Sequence, residues 1–188
     1  MINAIITDFD GTLVDTFEAN LRAYQCAFKN VGMTLSATEY LECFGLRFDR
    51  FMEAVGINEE NVAAHIKEDK IKYYPKFFDV IRVNKTLLQL IDGFRNLGGK
   101  AAVASTARRE NLMNVIDYLK ISDHFDLIFA GDDVKNGKPN PEIYFKAMAA
   151  LQSSPSDTIV FEDSEIGLSA AKASGARYIH VTPEWFNA

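Results

Sequence analysis

Four short polar strings punctuate the sequence: Asp8-Phe9-Asp10-Gly11-Thr12, Ser105-Thr106, Gly137-Lys138-Pro139 and Glu162-Asp163-Ser164. Brought together, they would set several carboxylates beside one ammonium and several hydroxyls. Carboxylates packed that closely repel one another unless a cation neutralises them. Hard oxygen donors point to Mg²⁺, which takes one or two carboxylates, waters and substrate phosphate. Lys138 and Ser105 then suit the remaining phosphoryl oxygens, as a point charge and a hydroxyl donor. A carboxylate such as Asp8 can attack phosphorus to form an acyl phosphate. A second acid two residues on, Asp10, beyond a tight glycine turn, suits proton delivery to the leaving oxygen. The residues alone thus imply magnesium-dependent phosphoryl transfer through an aspartyl-phosphate.

Short apolar runs place these strings. Ala4-Ile5-Ile6 stops abruptly at Thr7-Asp8, and similar runs recur at Lys100–Ala104, Leu127–Ala130, Thr158–Phe161 and Tyr178–Val181. Such runs suit strands buried on both faces of a parallel sheet. Helical stripes lie between them. Leu112, Val115, Ile116 and Leu119 follow i, i+3, i+4, i+7 spacing, as do Tyr144, Ala147, Met148 and Leu151. Asn140-Pro141-Glu142 reads as the start of the second stripe's helix, with Asn140 as N-cap. Thr86 with Gln89 reads as a capping box for a helix bearing Leu87, Leu90, Ile91 and Phe94 and closed by Gly98. Strand and helix in alternation predict an α/β fold with a Rossmann-like parallel sheet core. In such a sheet, ligands bind beyond the carboxyl ends of the strands, where all four strings fall.

Residues 15–81 break the alternation. Phe17, Leu21, Tyr24, Phe28 and Val31 mark one long helix ending near Gly32, and Ala37–Cys43, Phe48–Val55 and Asn61–Tyr74 also favour helix. The expected organisation is a catalytic core of residues 1–14 and 82–188, with an inserted α-helical cap subdomain over 15–81.

Twenty basic against 26 acidic side chains give a net charge of −6, which argues against a nucleic-acid partner. No apolar run approaches a membrane span. The sequence from Met1 to Asp8 has no basic n-region and meets an acid at once, so it does not read as a signal peptide. Cys26 and Cys43 have neither disulfide nor zinc spacing, and read as free thiols in a reducing compartment. These features lead us to expect a cytoplasmic protein with no membrane partner. A monomer is the default.

The four strings, in this order, resemble those of the haloacid dehalogenase-like hydrolases, in the branch of phosphoglycolate phosphatase-like and β-phosphoglucomutase-like enzymes. The third extends through Gly137-Lys138-Pro139-Asn140-Pro141-Glu142. The fourth continues into Gly167, Ala170-Ala171 and Ser174-Gly175. The resemblance spans nearly the whole chain, and the inserted helices match the family's cap. It implies Asp8 as nucleophile, and Asp10 as the acid that protonates the leaving group and then activates water. Mg²⁺ would be held by Asp8, the Asp10 backbone carbonyl and Asp163, with Glu162 close by or one shell out. Ser105 and Lys138 would hold the phosphoryl group, with a backbone donor from Thr106. Phe44-Gly45-Leu46-Arg47 resembles a cap loop, making Arg47 a candidate for the far end of a small phosphorylated metabolite.

A phosphatase is the leading reading. A sugar phosphomutase is its rival, against which Thr12 and Asn20 both count: the resembled mutases carry a non-hydroxyl residue and a histidine there. A non-catalytic relative is the remote alternative, and no motif residue is missing to support it. A signalling receiver domain shares the chemistry but has no counterpart to the insert. Arg50, Lys70, Lys72 and Lys76 read as solvated helix faces, and His65, His124 and His180 as uninvolved in catalysis.

Overall fold

The structure, a computed structural model, describes residues 1–187. In chain order its elements begin with β1 (Ala4–Thr7), β2 (Val14–Asp15), α1 (Phe17–Asn30), α2 (Ala37–Cys43), α3 (Phe48–Ala54) and α4 (Glu60–Tyr73). There follow β3 (Arg82–Val83), α5 (Lys85–Asn96), β4 (Lys100–Ala104), α6 (Arg109–Leu119) and β5 (Leu127–Phe129). The last are α7 (Glu142–Leu151), β6 (Thr158–Glu162), α8 (Glu165–Ala173) and β7 (Arg177–His180).

Five strands form one parallel sheet in the order β5-β4-β1-β6-β7. All four residues of β1 are buried, as its unbroken apolar run requires of a central strand. The chain moves outward from β1 in both directions, so the switch in strand order lies between β1 and its neighbours β4 and β6. Ala4, Ile6, Ala102, Ala104 and Val160 pack with Tyr144, Ala147, Met148 and Leu151 of α7 and Ala170 and Ala171 of α8. The small residues on strand and helix bring α7 and α8 close to the sheet.

Some expectations need correction. The run at Tyr178–Val181 does form a strand, but β7 is an edge strand with all four residues exposed. Apolar content alone does not distinguish an edge from a buried centre. The cap of α5 is Asn84, whose side chain accepts from the Leu87 amide at 3.0 Å, in place of Thr86. The helix therefore starts two residues early. Asn84 is also fully buried, and its amide donates to the Thr12 carbonyl at 3.1 Å. One side chain thus ties α5 to the loop after β1. At α7 the N-cap position falls on Pro141, not Asn140; Asn140 lies one residue earlier, its side chain accepting from the Glu142 amide at 3.0 Å.

The chain divides into two compact units, Met1–Asp15 with Arg82–Ala188, and Thr16–Ile81. The second is helical. Leu21, Phe28, Tyr40, Phe51 and Ile66 form its core, with Phe17 and Tyr24 packed against it. Its α1 ends as the spacing predicts: Gly32 takes φ +75° and the Met33 amide returns to the Phe28 carbonyl. A capping box of Ser36 and Glu39 opens α2. Lys70 departs from the expected solvated face. It is buried, with its ammonium 3.5 Å from the Tyr74 ring centroid and 5.5 Å from that of Tyr24, a cation–π setting that replaces water. Where the helical insert leaves and rejoins the sheet unit, β2 and β3 pair antiparallel, with Arg82 donating to Asp15 at 2.6 Å. Two-residue strands leave no periodicity to read. No helix among the described residues is long and apolar enough to cross a membrane.

Candidate active site

The site is built at the carboxyl ends of β1, β4 and β6 and in the loop before α7. Asp8 immediately follows β1 and is buried. The chain then turns: Gly11 donates to the Val14 carbonyl, and Leu13 and Val14 donate back to the Phe9 carbonyl. Gly11 has φ +93°, and a β-carbon there would lie 2.2 Å from Asp163 Oδ2. Both facts require glycine. They also explain how the first and fourth motifs, 151 residues apart, come into contact: Thr12 Oγ1 donates to Asp163 Oδ1 at 2.6 Å.

Lys138 arrives from the loop before α7 and is almost wholly enclosed. Its ammonium donates to Asp8 Oδ1 at 2.6 Å and to Glu162 Oε1 at 2.5 Å. Glu162, the last residue of β6, is fully engaged. Its Oε1 also accepts from the Tyr144 hydroxyl at 3.1 Å, and its Oε2 accepts from the Ser164 amide at 3.0 Å and hydroxyl at 3.1 Å. Ser164 in turn caps α8, accepting from the Gly167 amide. Capping of α8 therefore falls to Ser164, leaving Asp163 to face the site.

Ser105 ends β4. Its hydroxyl donates to Asp10 Oδ2 at 3.4 Å and accepts from the Ala107 amide at 3.0 Å. Thr106 lies in the same loop, against Gly131, where a β-carbon would come within 2.3 Å of the Thr106 carbonyl oxygen. Asp8, Lys138 and Glu162 thus form one bonded group, beside the pairs of Asp163 with Thr12 and Asp10 with Ser105. Arg47 belongs to the helical unit, directly before α3, with Asp49 3.6 Å away.

Asp8, Glu162 and Asp163 each offer a carboxylate oxygen, all within 4.8 Å of one another. One buried ammonium pairs with Asp8 and Glu162, so with all three carboxylates ionised two negative charges would remain. The strain shows in the acids. Burial pushes the Asp8 carboxyl well above its usual range, Lys138 opposes this, and Glu162 and Asp163 add to it. Burial also raises Asp163, with Glu162, to about 6, against the hydrogen bond from Thr12. Burial disfavours the Lys138 cation, yet Asp8 and Glu162 outweigh it and hold the ammonium well above its ordinary value. The residues present fit a divalent cation: two more positive charges neutralise the cluster, and the free donor atoms are hard oxygens. Asp8 and Asp163 are the carboxylates with capacity to spare. The side chain of Asp10 sits apart with Ser105.

Sequence reasoning missed Tyr144, which it placed in a helical core stripe. The signal was present: a buried tyrosine needs a partner for its hydroxyl, and this one lies six residues after Lys138. It set the histidines aside. His124 Nδ1 lies 2.6 Å from Asp92 Oδ1, and His180 Nε2 lies 3.1 Å from the Asp163 carbonyl oxygen.

The family model described as haloacid dehalogenase-like hydrolase matches residues 5–181. The chain is 29% identical over 185 residues to the phosphorylated carbohydrates phosphatase of Thermotoga maritima, covering 95% of this chain and 84% of that one. CbbY from Rhodobacter sphaeroides, solved in complex with phosphate, superposes with a TM-score of 0.86 at 28% identity, covering 98% of this chain and 88% of that one. β-Phosphoglucomutase from Clostridium difficile superposes with a TM-score of 0.84 at 26% identity, covering 100% and 87%.

Proposed function

The chain belongs to the haloacid dehalogenase-like hydrolases, and from that premise we propose a Mg²⁺-dependent phosphatase of small phosphorylated metabolites that works through an aspartyl-phosphate on Asp8. One observation carries the reading. The Asp8 carboxylate is buried among two further acids and shares the Lys138 ammonium with Glu162.

In this reading a free Asp8 oxygen attacks phosphorus as the bond from phosphorus to the substrate oxygen breaks. Asp10 gives that oxygen its proton, and the alcohol leaves. Water then attacks the phosphoryl group while Asp10 takes its proton, and Asp8 is regenerated as phosphate departs. Lys138 and the Ser105 hydroxyl hold phosphoryl oxygens, with an amide from Thr106. Asp8, Asp163 and the Asp10 carbonyl would hold the Mg²⁺, which would supply charge neutralisation at the phosphoryl group. Arg47 is our candidate for reading the part of the substrate beyond the phosphate. The name of the Thermotoga maritima relative supports a phosphorylated carbohydrate as the substrate class.

The mutase is the second reading, favoured by the similarity to β-phosphoglucomutase. Asn20 weighs against it: its amide donates to the Thr16 carbonyl and the Tyr74 hydroxyl, each at 3.2 Å, and an amide carries no transferable proton at neutral pH. The test is p-nitrophenyl phosphate hydrolysis with and without Mg²⁺, alongside isomerisation of β-glucose 1-phosphate. Metal-dependent phosphate release is expected. Isomerisation as fast as hydrolysis would replace the phosphatase with the mutase.

A further inference from the structure

Lys138 has two anchors, and catalysis as proposed above removes one of them. The ammonium bridges Asp8 Oδ1 and Glu162 Oε1. Once Asp8 carries a phosphoryl group, it loses its charge as a carboxylate, and Glu162 becomes the one carboxylate that orients Lys138 toward the phosphoryl oxygens. A carboxylate can serve as a fixed anchor only if it is itself immobile. Glu162 is: its two oxygens accept four hydrogen bonds, from Lys138 and Tyr144 on one side and from Ser164 on the other. That fills the roughly four lone-pair positions of a carboxylate. Gly167 makes room for this carboxylate, since a β-carbon there would overlap Glu162 Oε1 at 1.8 Å.

Of those donors, the Ser164 groups belong to the turn that starts α8 and to the same strand end as Glu162. Tyr144 differs. It comes from α7, its side chain is fully buried, and its ring lies 5.0 Å from the Lys138 ammonium. It bonds the same oxygen that holds the lysine. Phenylalanine would fill this core position equally well, so packing does not account for the hydroxyl.

We propose that Tyr144 is a positioning residue for phosphoryl transfer: its hydroxyl fixes Glu162 Oε1, and through it the Lys138 ammonium, while Asp8 is phosphorylated. The inference rests on the phosphatase reading for its catalytic consequence, whereas the positioning itself is independent of turnover.

The test is Tyr144→Phe, which removes one oxygen, measured alone and on a Glu162→Gln background. Misplacing a catalytic group by about 1 Å can cost around 100-fold, and a loosened anchor should move the ammonium by less. We expect kcat for p-nitrophenyl phosphate to fall about tenfold, with KM changed less than about threefold. On the Glu162→Gln background the same substitution should change kcat less than about twofold, because the residues act in series. In wild-type protein labelled with ¹⁵N-lysine, the Lys138 ammonium, assigned with Lys138→Arg, should give a signal that moves in Tyr144→Phe. Unchanged kcat in the single variant, the same fold-loss on both backgrounds, an unmoved ammonium signal or a Tyr144→Phe chain that does not fold would each overturn the proposal. A wild type without phosphatase activity would instead count against the functional reading, and the ammonium signal would still decide the positioning.

Discussion

Gly11→Ala tests how the first and fourth motifs are fitted together. The new β-carbon would sit 2.2 Å from Asp163 Oδ2, where ordinary contact begins at 3.4 Å, so the carboxylate must retreat by roughly 1.2 Å. Metal ligands tolerate only about ±0.2 Å. The retreat also pulls Asp163 Oδ1 from the Thr12 hydroxyl, now 2.6 Å away. In addition, alanine at φ +93° carries backbone strain of about 1–2 kcal/mol. Two effects should separate experimentally. In chelator, stability should fall by about 2–3 kcal/mol, from strain and one lost hydrogen bond. In a Mg²⁺ titration of thermal stability, the midpoint should rise at least 10–100-fold, the usual scale for disturbing a ligand's support. Asp163→Ala in the Gly11→Ala background removes the clash and should relieve the steric term alone, because the Thr12 hydroxyl still lacks its acceptor and the backbone strain remains. A Gly11→Ala protein that binds Mg²⁺ with the wild-type midpoint would refute the reasoning, since Asp163 would then not be held where the contact requires.

Two further perturbations address the same framework. Asp163 is raised to about 6 in the folded protein, above the ordinary carboxylate value near 4, so the fold binds its proton more tightly than the unfolded chain does. That contribution is present at pH 4 and is lost as pH rises through 6. Without metal, the melting temperature of Asp163→Asn should therefore gain on wild type between pH 4 and 7, and a constant difference would contradict the assignment. Asn84→Ala removes the α5 cap and the donor to the Thr12 carbonyl. It should cost about 2–4 kcal/mol in urea unfolding, and a loss under 1 kcal/mol would show that the tie between α5 and the motif loop is unimportant.

The sheet was legible because a parallel strand buried on both faces has no polar alternation to obscure it, as in Ala4-Ile5-Ile6. The candidate site was legible because its chemistry demands particular side chains at strand ends. What escaped is instructive. β7 has apolar residues but no second neighbour, and composition does not encode a strand's place in the sheet. Lys70 is charged yet enclosed by Tyr24 and Tyr74; Tyr74 lies at i+4, but Tyr24 comes from another helix, and helical spacing does not reveal it. Asn84 and Tyr144 each act through a contact that is remote in sequence: Asn84 with Thr12, and Tyr144 with Glu162. Helix periodicity assigns such residues to a face, whereas their hydrogen bonds are decided by tertiary packing.

The central claim is that Asp8 becomes phosphorylated. Acid quenching during turnover of p-nitrophenyl phosphate with Mg²⁺, followed by borohydride reduction, converts an acyl phosphate to homoserine, and peptide mass spectrometry locates it. We predict homoserine at position 8 and nowhere else, absent when substrate is omitted. Quenched protein from an actively turning-over sample that carries no homoserine at position 8, or carries it at another acid, would contradict the account.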